Sequence, residues 1–215
     1  MNDSMKRKLV FILTAAVLVL LGGVAIYYTT MPSGCSSKRK VGNFYEIDCP
    51  TKGLKPGKNK VCGVVLHHTA CMTMRQSLDA LTESGKVSCH VTIDRDGTRY
   101  ILASPEQITM HAGYSYHNGM TGLNRYFIGI EFQSIDTHRQ PLTDEQIESA
   151  IDYLLPIIKK HHIRLDNIVT HEQVRTAWLK RHPDRAKKEN VESKVDISQA
   201  DYQRFMAALR KRMER

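Results

Sequence analysis

No Cys-x-x-Cys pair occurs anywhere in the chain, so neither a zinc ribbon nor a dithiol redox motif is present. The cysteines, Cys35, Cys49, Cys62, Cys71 and Cys89, all fall in the N-terminal half. No segment repeats, which excludes a stacked repeat architecture. Acidic residues are in the minority, 22 against 31 Lys and Arg, giving a formal net charge of +9. That balance favours anionic partners in general: nucleic acid, anionic lipid or a carboxylate-rich polymer. At 215 residues the chain has room for one well-cored domain plus extra segments.

Charge is also missing from Leu9 to Tyr28, "LVFILTAAVLVLLGGVAIYY", a run long enough to cross a bilayer as a helix. The following "YYTTMPSG" has no small-x-small site for signal-peptide cleavage. The expectation is an uncleaved signal anchor over 9–28, with residues 1–8, including Lys6, Arg7 and Lys8, left in the cytoplasm and the remainder outside. A second "KRK" at Lys38 to Lys40 adds charge on the far side. The alternative is a lipoprotein processed at Cys35 after "PSG". Four cysteines would then remain for two disulfides, with Cys62–Cys71 the first pairing to test and reduced thiols the other possibility.

Residues 29–60, rich in Gly, Pro, Ser and Lys, read as a linker to a domain over 61–215. There "VCGVVLHH" predicts a buried strand, "TMRQSLDALTES" a helix, and "CHVTIDRDGTRYILA" two strands joined at Asp96-Gly97. "YFIGIEFQ" and "NIVTH" are further strands. Thr143 and Gln146 begin a helix that Pro156 should kink or interrupt, and Ser198 caps a last helix. The order of elements gives an α/β domain with one central sheet.

Two apolar strands end in histidine, at His67 and at His171. Alternation places His67 and His68 on opposite faces, so one of them is a ligand candidate and its neighbour is not. Strand ends are rigid, which suits a metal requiring imidazole nitrogens at about 2.0–2.1 Å. His138, His161, His162 and His182 lie in charged stretches and read as solvated.

In order, "VVLHHTA", "CHVTIDRDGTRY", "MHAG", "NRYFIGIEFQ" and "IVTHEQV" resemble the zinc N-acetylmuramoyl-L-alanine amidases, a group that includes peptidoglycan recognition proteins. The resemblance implies a single mixed β-sheet flanked by helices. It also implies zinc held by His67, His171 and the Asp196 of "SKVDIS", with Asp184 in "RHPD" as competitor because a long insertion precedes Lys194. Glu131 in "IGIEF" matches the catalytic glutamate of one branch, whereas the tyrosine of other branches is replaced by Cys89. Lys194 would stabilise an oxyanion, and His68, His90, His111 and Asn124 would contact substrate or support the site.

The implied function is cleavage of the muramyl–L-alanine amide in peptidoglycan or muropeptides by a monomer that binds no nucleic acid. Its expected location is the outer side of the bacterial cytoplasmic membrane. A non-catalytic muramyl-peptide binding module and an anchored lytic enzyme are the alternatives.

Overall fold

The computed structural model describes residues 34–214. The segment expected to anchor the chain, 9–28, lies outside them; among the described residues no helix is long and apolar enough to cross a membrane. In chain order they form β1 (Arg39–Val41), β2 (Phe44–Asp48), β3 (Gly63–His68) and α1 (Met74–Leu78), which runs into a π-helical turn over Asp79–Glu83. Next come β4 (Val91–Ile93), β5 (Arg99–Ile101), the hairpin of β6 (Tyr116–His117) with β7 (Met120–Thr121), and β8 (Phe127–Phe132). The chain ends with α2 (Asp144–His161), β9 (Ile168–Thr170), α3 (His171–Arg181), α4 (Pro183–Lys188) and α5 (Gln199–Met213).

Seven strands make one mixed sheet in the order β1-β2-β5-β4-β8-β3-β9. β3 lies between β8 and β9 and is parallel to both. A strand covered on both faces reads as a continuous apolar run, and "GVVL" and "FIGI" do so. Val64, Leu66, Ile128, Ile130 and Phe132 pack on one face with Ile151 and Leu154 of α2 and Phe205 and Leu209 of α5. On the other face Val65, Phe127 and Val169 pack with Ala112, Leu123 and Val174 of α3. Alternation sends His67, Gly129 and Glu131 to this second face, where apolar cover gives way to a polar cleft.

The expected helix start at Thr143 is a full capping box. The Gln146 N–H donates to the Thr143 hydroxyl, and the Gln146 side-chain oxygen accepts from the Thr143 N–H. Pro156 does not interrupt α2, which continues to His161. Ser198 caps α5 by accepting from the Asp201 N–H.

The linker expected over 29–60 differs from what forms. Residues 39–48 supply β1 and β2; β1 forms the sheet edge, and β2, inside it, pairs in parallel with β5. Its lysine- and glycine-rich flanks hide the two groups that hold it, Ile47 and Cys49, both buried against Tyr100 and Leu102. The buried guanidinium of Arg99 lies 3.0 Å from Glu46 of β2. Cys35 is bonded to Cys49, while Cys62 and Cys71 are free thiols, so the Cys62–Cys71 pairing does not form. Lipidation of Cys35 would need the sulfur that this disulfide uses.

Gly97 closes the β4–β5 hairpin at φ +80°, and its N–H donates to the Asp94 carbonyl. A Cβ there would stand 2.6 Å from the Phe44 ring and 2.9 Å from the Glu145 carbonyl oxygen. Gly97→Ala is expected to cost about 2–4 kcal/mol through left-handed strain and overpacking. Denaturant titration checks this; an unchanged midpoint contradicts the tight approach.

Candidate metal centre

The sheet register brings the two histidine-ended segments together. Leu66 of β3 is paired with Thr170 of β9, so each chain delivers its histidine one residue beyond the same rung. His171 is not the last strand residue that the sequence suggests but the first residue of α3. Thr170 caps that helix by accepting from the Gln173 N–H. The two Nδ1 atoms lie 3.1 Å apart.

Asp196 arrives from the segment before α5, and its Oδ2 lies 3.7 Å from His67 Nδ1 and 3.4 Å from His171 Nδ1. Ligand atoms of all three residues fall within 4.8 Å of one another, and all three residues are buried. The other carboxylate oxygen, Oδ1, is held by the backbone N–H groups of His68 and Ile197 at 2.8 and 3.0 Å. His68 Nδ1 adds a third contact at 3.3 Å. His68, which lines the same cleft, thus acts on the centre by orienting Asp196. Asp184 is exposed on α4 and stands outside the cluster.

Electrostatics prepare the centre for a cation. Burial, then the neighbouring His171, pushes His67 down to about 3, so the ring is neutral near pH 7. Burial acts to raise Asp196, but hydrogen bonds from His171 and His68 outweigh it and hold the carboxyl below its ordinary range. Two imidazoles and one carboxylate, converging from elements fixed by the sheet, match the donor set of a zinc site with a position left open.

Glu131 is the direct cross-strand neighbour of His67. Its Oε2 is buried without a hydrogen-bond partner, and burial, followed by the Asp196 charge, pushes the carboxyl well above its usual range. Lys194 lines the same cleft. Cys89 is buried, donates to the Val91 carbonyl, and is raised well above an ordinary thiol, chiefly by burial.

His111 and Asn124 line the cleft, while His90 stands behind it. Asn124 accepts from the N–H groups of His111 and Ala112 at 3.0 and 2.7 Å. Burial, then His67, holds His111 well below its ordinary value. Its ring occupies space that a side chain at position 129 would fill: a Cβ on Gly129 would lie 2.4 Å from His111 Cγ. A glycine inside an apolar strand signals such close approach, so this feature was open to sequence reading. The cleft-lining cations Lys86 and Arg175 carried no comparable signal. Arg175 ties the insertion to the body of the domain by donating to the carbonyls of Tyr114 and Glu192.

His90 Nδ1 accepts from the Gly129 N–H at 2.9 Å, and Nε2 faces the Gln107 carbonyl at 3.0 Å, a pattern that only the neutral ring satisfies. Burial pushes its pKa down to about 4. The unfolded chain, titrating at an ordinary 6.5, therefore binds more protons between pH 6.5 and 4, and this contribution to stability is lost as pH falls through that window. Denaturation of the metal-free protein at pH 7 and 4.5 is expected to show a loss that His90→Gln reduces by something on the order of 2–3 kcal/mol. An identical pH slope in the variant contradicts the assignment.

Similarity to known proteins covers much of the described domain. The Amidase_2 model, described as N-acetylmuramoyl-L-alanine amidase, matches residues 57–187, more than half of the chain, and stops short of Lys194 and Asp196. The chain is 26% identical over 158 residues to the N-acetylmuramoyl-L-alanine amidase AmiD of Escherichia coli (strain K12), covering 66% of this chain and 56% of that protein. To the 1,6-anhydro-N-acetylmuramyl-L-alanine amidase AmpD of Enterobacter cloacae it is 31% identical over 88 residues, 41% of this chain and 46% of that one. The chain thus spans about half the length of these curated relatives. A solved mutant structure of PlyL shares the fold, with a TM-score of 0.52 at 16% identity over 76% of this chain and 96% of that one. By the extent of the family match, the chain belongs to the N-acetylmuramoyl-L-alanine amidases.

Proposed function

We propose that this protein is a zinc-dependent peptidoglycan amidase that hydrolyses the bond between the lactyl group of N-acetylmuramic acid and the L-alanine of the stem peptide. The observation that carries the reading is the meeting of His67, His171 and Asp196 beside the unpaired Oε2 of Glu131. The names of the AmiD and AmpD relatives support the same reaction.

His67 and His171, each through Nδ1, and Asp196, through Oδ2, would hold the ion. A zinc ion there supplies Lewis acidity, which polarises an amide carbonyl and acidifies water. Glu131 Oε2 takes the proton of the attacking water and passes it to the departing L-alanine nitrogen, a role matched to a carboxyl whose pKa lies above the ordinary range. Lys194 places positive charge on the cleft wall, where the carbonyl oxygen becomes an oxyanion. Lys86 and Arg175 line the same cleft and favour a stem peptide that carries carboxylates, an attraction that salt weakens.

The uncharged run at 9–28 would tether the catalytic domain to the outer side of a bacterial cytoplasmic membrane, within reach of peptidoglycan or of released muropeptides.

Digestion of purified peptidoglycan is expected to release stem peptides with a free L-alanine amino terminus; release of reducing sugars instead would sink the reading. Glu131→Gln should keep its zinc while turnover falls about 10²–10⁴-fold, the range for a lost general base. Full activity with metal in place would make Glu131 a structural carboxylate. In a metal assay, Asp196→Ala should lose most of its zinc and Asp184→Ala should keep it. The reverse result moves the third ligand into the insertion.

A further inference from the structure

We propose that His111 is a positioning residue that fixes the tautomer of His67, so that His67 offers Nδ1 rather than Nε2 to the metal. The inference rests on the zinc reading above and concerns how the chain prepares that ligand.

The Phe127 carbonyl can only accept a hydrogen bond, and His111 Nε2 lies 3.1 Å from it. In a neutral imidazole one nitrogen donates and the other accepts, so the proton of His111 is on Nε2 and the lone pair on Nδ1. That lone pair lies 3.1 Å from His67 Nε2. His67 therefore carries its own proton on Nε2 and donates it to His111. Its lone pair is left on Nδ1, the atom that lies 3.1 Å from His171 Nδ1 and 3.7 Å from Asp196 Oδ2.

The opposite assignment sets a lone pair of His111 against the Phe127 carbonyl oxygen in a buried site and leaves that acceptor unmet. The tautomer of a metal-binding histidine is set by whatever the other nitrogen bonds to, and here a second histidine occupies that place. The two rings meet edge to face, with centroids 5.3 Å apart.

Two further features hold the relay in register. Asn124 accepts from the backbone N–H groups of His111 and Ala112, which fixes the start of the side chain. Gly129 leaves open the volume that the ring fills. The polar network thus runs from the backbone of β8 through His111 to His67 on β3, and it belongs to the same sheet that sets the position of His67.

The test uses the full chain with isotope-labelled histidine, reading the protonated nitrogen of each ring by long-range nitrogen–proton NMR, without zinc and with it. The expected result in both states is a proton on Nε2 of His111 and on Nε2 of His67. A proton on Nδ1 of His111, or zinc coordinated through Nε2 of His67, overturns the proposal. Zinc affinity, measured by competition with a chromophoric chelator, supplies a second arm.

His111→Gln keeps one donor for Phe127 and one acceptor for His67, so its affinity should stay within a few-fold of the wild type. His111→Phe keeps ring bulk but no acceptor, and its affinity should fall about 10–100-fold, the usual effect of losing such a support. Equal loss in both variants overturns the relay. Should the wild-type chain take up no zinc, the zinc reading fails, and the tautomers of the metal-free protein still decide the relay. Those wild-type tautomers also decide it should a variant fail to fold.

Discussion

The centre depends on the register in which β3 is paired between β8 and β9. Two rungs of that ladder, His67 with Glu131 and Leu66 with Thr170, place the proposed base beside one histidine and bring the second histidine in from the next chain segment. A slip of one residue would turn every side chain of β3 to the opposite face and put Leu66 where His67 stands. The apolar residues of the same strand prevent this, because Val64 and Leu66 fit one core and Val65 the other. Packing and chemistry are therefore fixed by a single alternation.

Placing this much polarity next to a core has a cost, and the structure offsets it locally. The His67 and His111 rings are held neutral by burial, so the relay between them needs no counter-charge. Asp196, the one carboxylate in the cluster, has Oδ1 satisfied by two backbone N–H groups and by His68, leaving Oδ2 toward the histidine pair. Glu131 Oε2 and His171 Nε2 are the exceptions at the centre, both buried without a hydrogen-bond partner. The orphaned Oε2 of Glu131 is the kind of unsatisfied buried group that requires an explanation, and acid–base work in the cleft provides one.

Much of this was readable from the chain because period-two patterns end in chemistry-bearing residues. "VVLHH" and "IGIEF" give both the strand and the face on which His67 and Glu131 lie, and Thr143 with Gln146 marks a helix start that forms as expected. Reading failed where long-range partners decide. β2 is short and carries two carboxylates, Glu46 and Asp48, and it becomes a strand because β5 offers it an edge and Arg99 an ion pair. The Cys35–Cys49 bond joins two residues that composition assigned to a tether. His171 starts a helix because the Thr170–Gln173 capping box overrides the strand pattern before it. Asp196 could not be separated from Asp184 by spacing, since the intervening α3 and α4 lengthen the path along the chain without changing where it returns.

The claim that a zinc ion belongs on His67, His171 and Asp196 is tested most directly by X-ray absorption at the zinc edge on the zinc-loaded full chain. The arrangement predicts nitrogen donors from two imidazoles at about 2.0–2.1 Å with oxygen at about 2.0–2.2 Å and no sulfur. Cys71 is a free thiol in the wall of the same cleft. A sulfur shell at about 2.3 Å would put a thiolate in place of Asp196 and contradict the account.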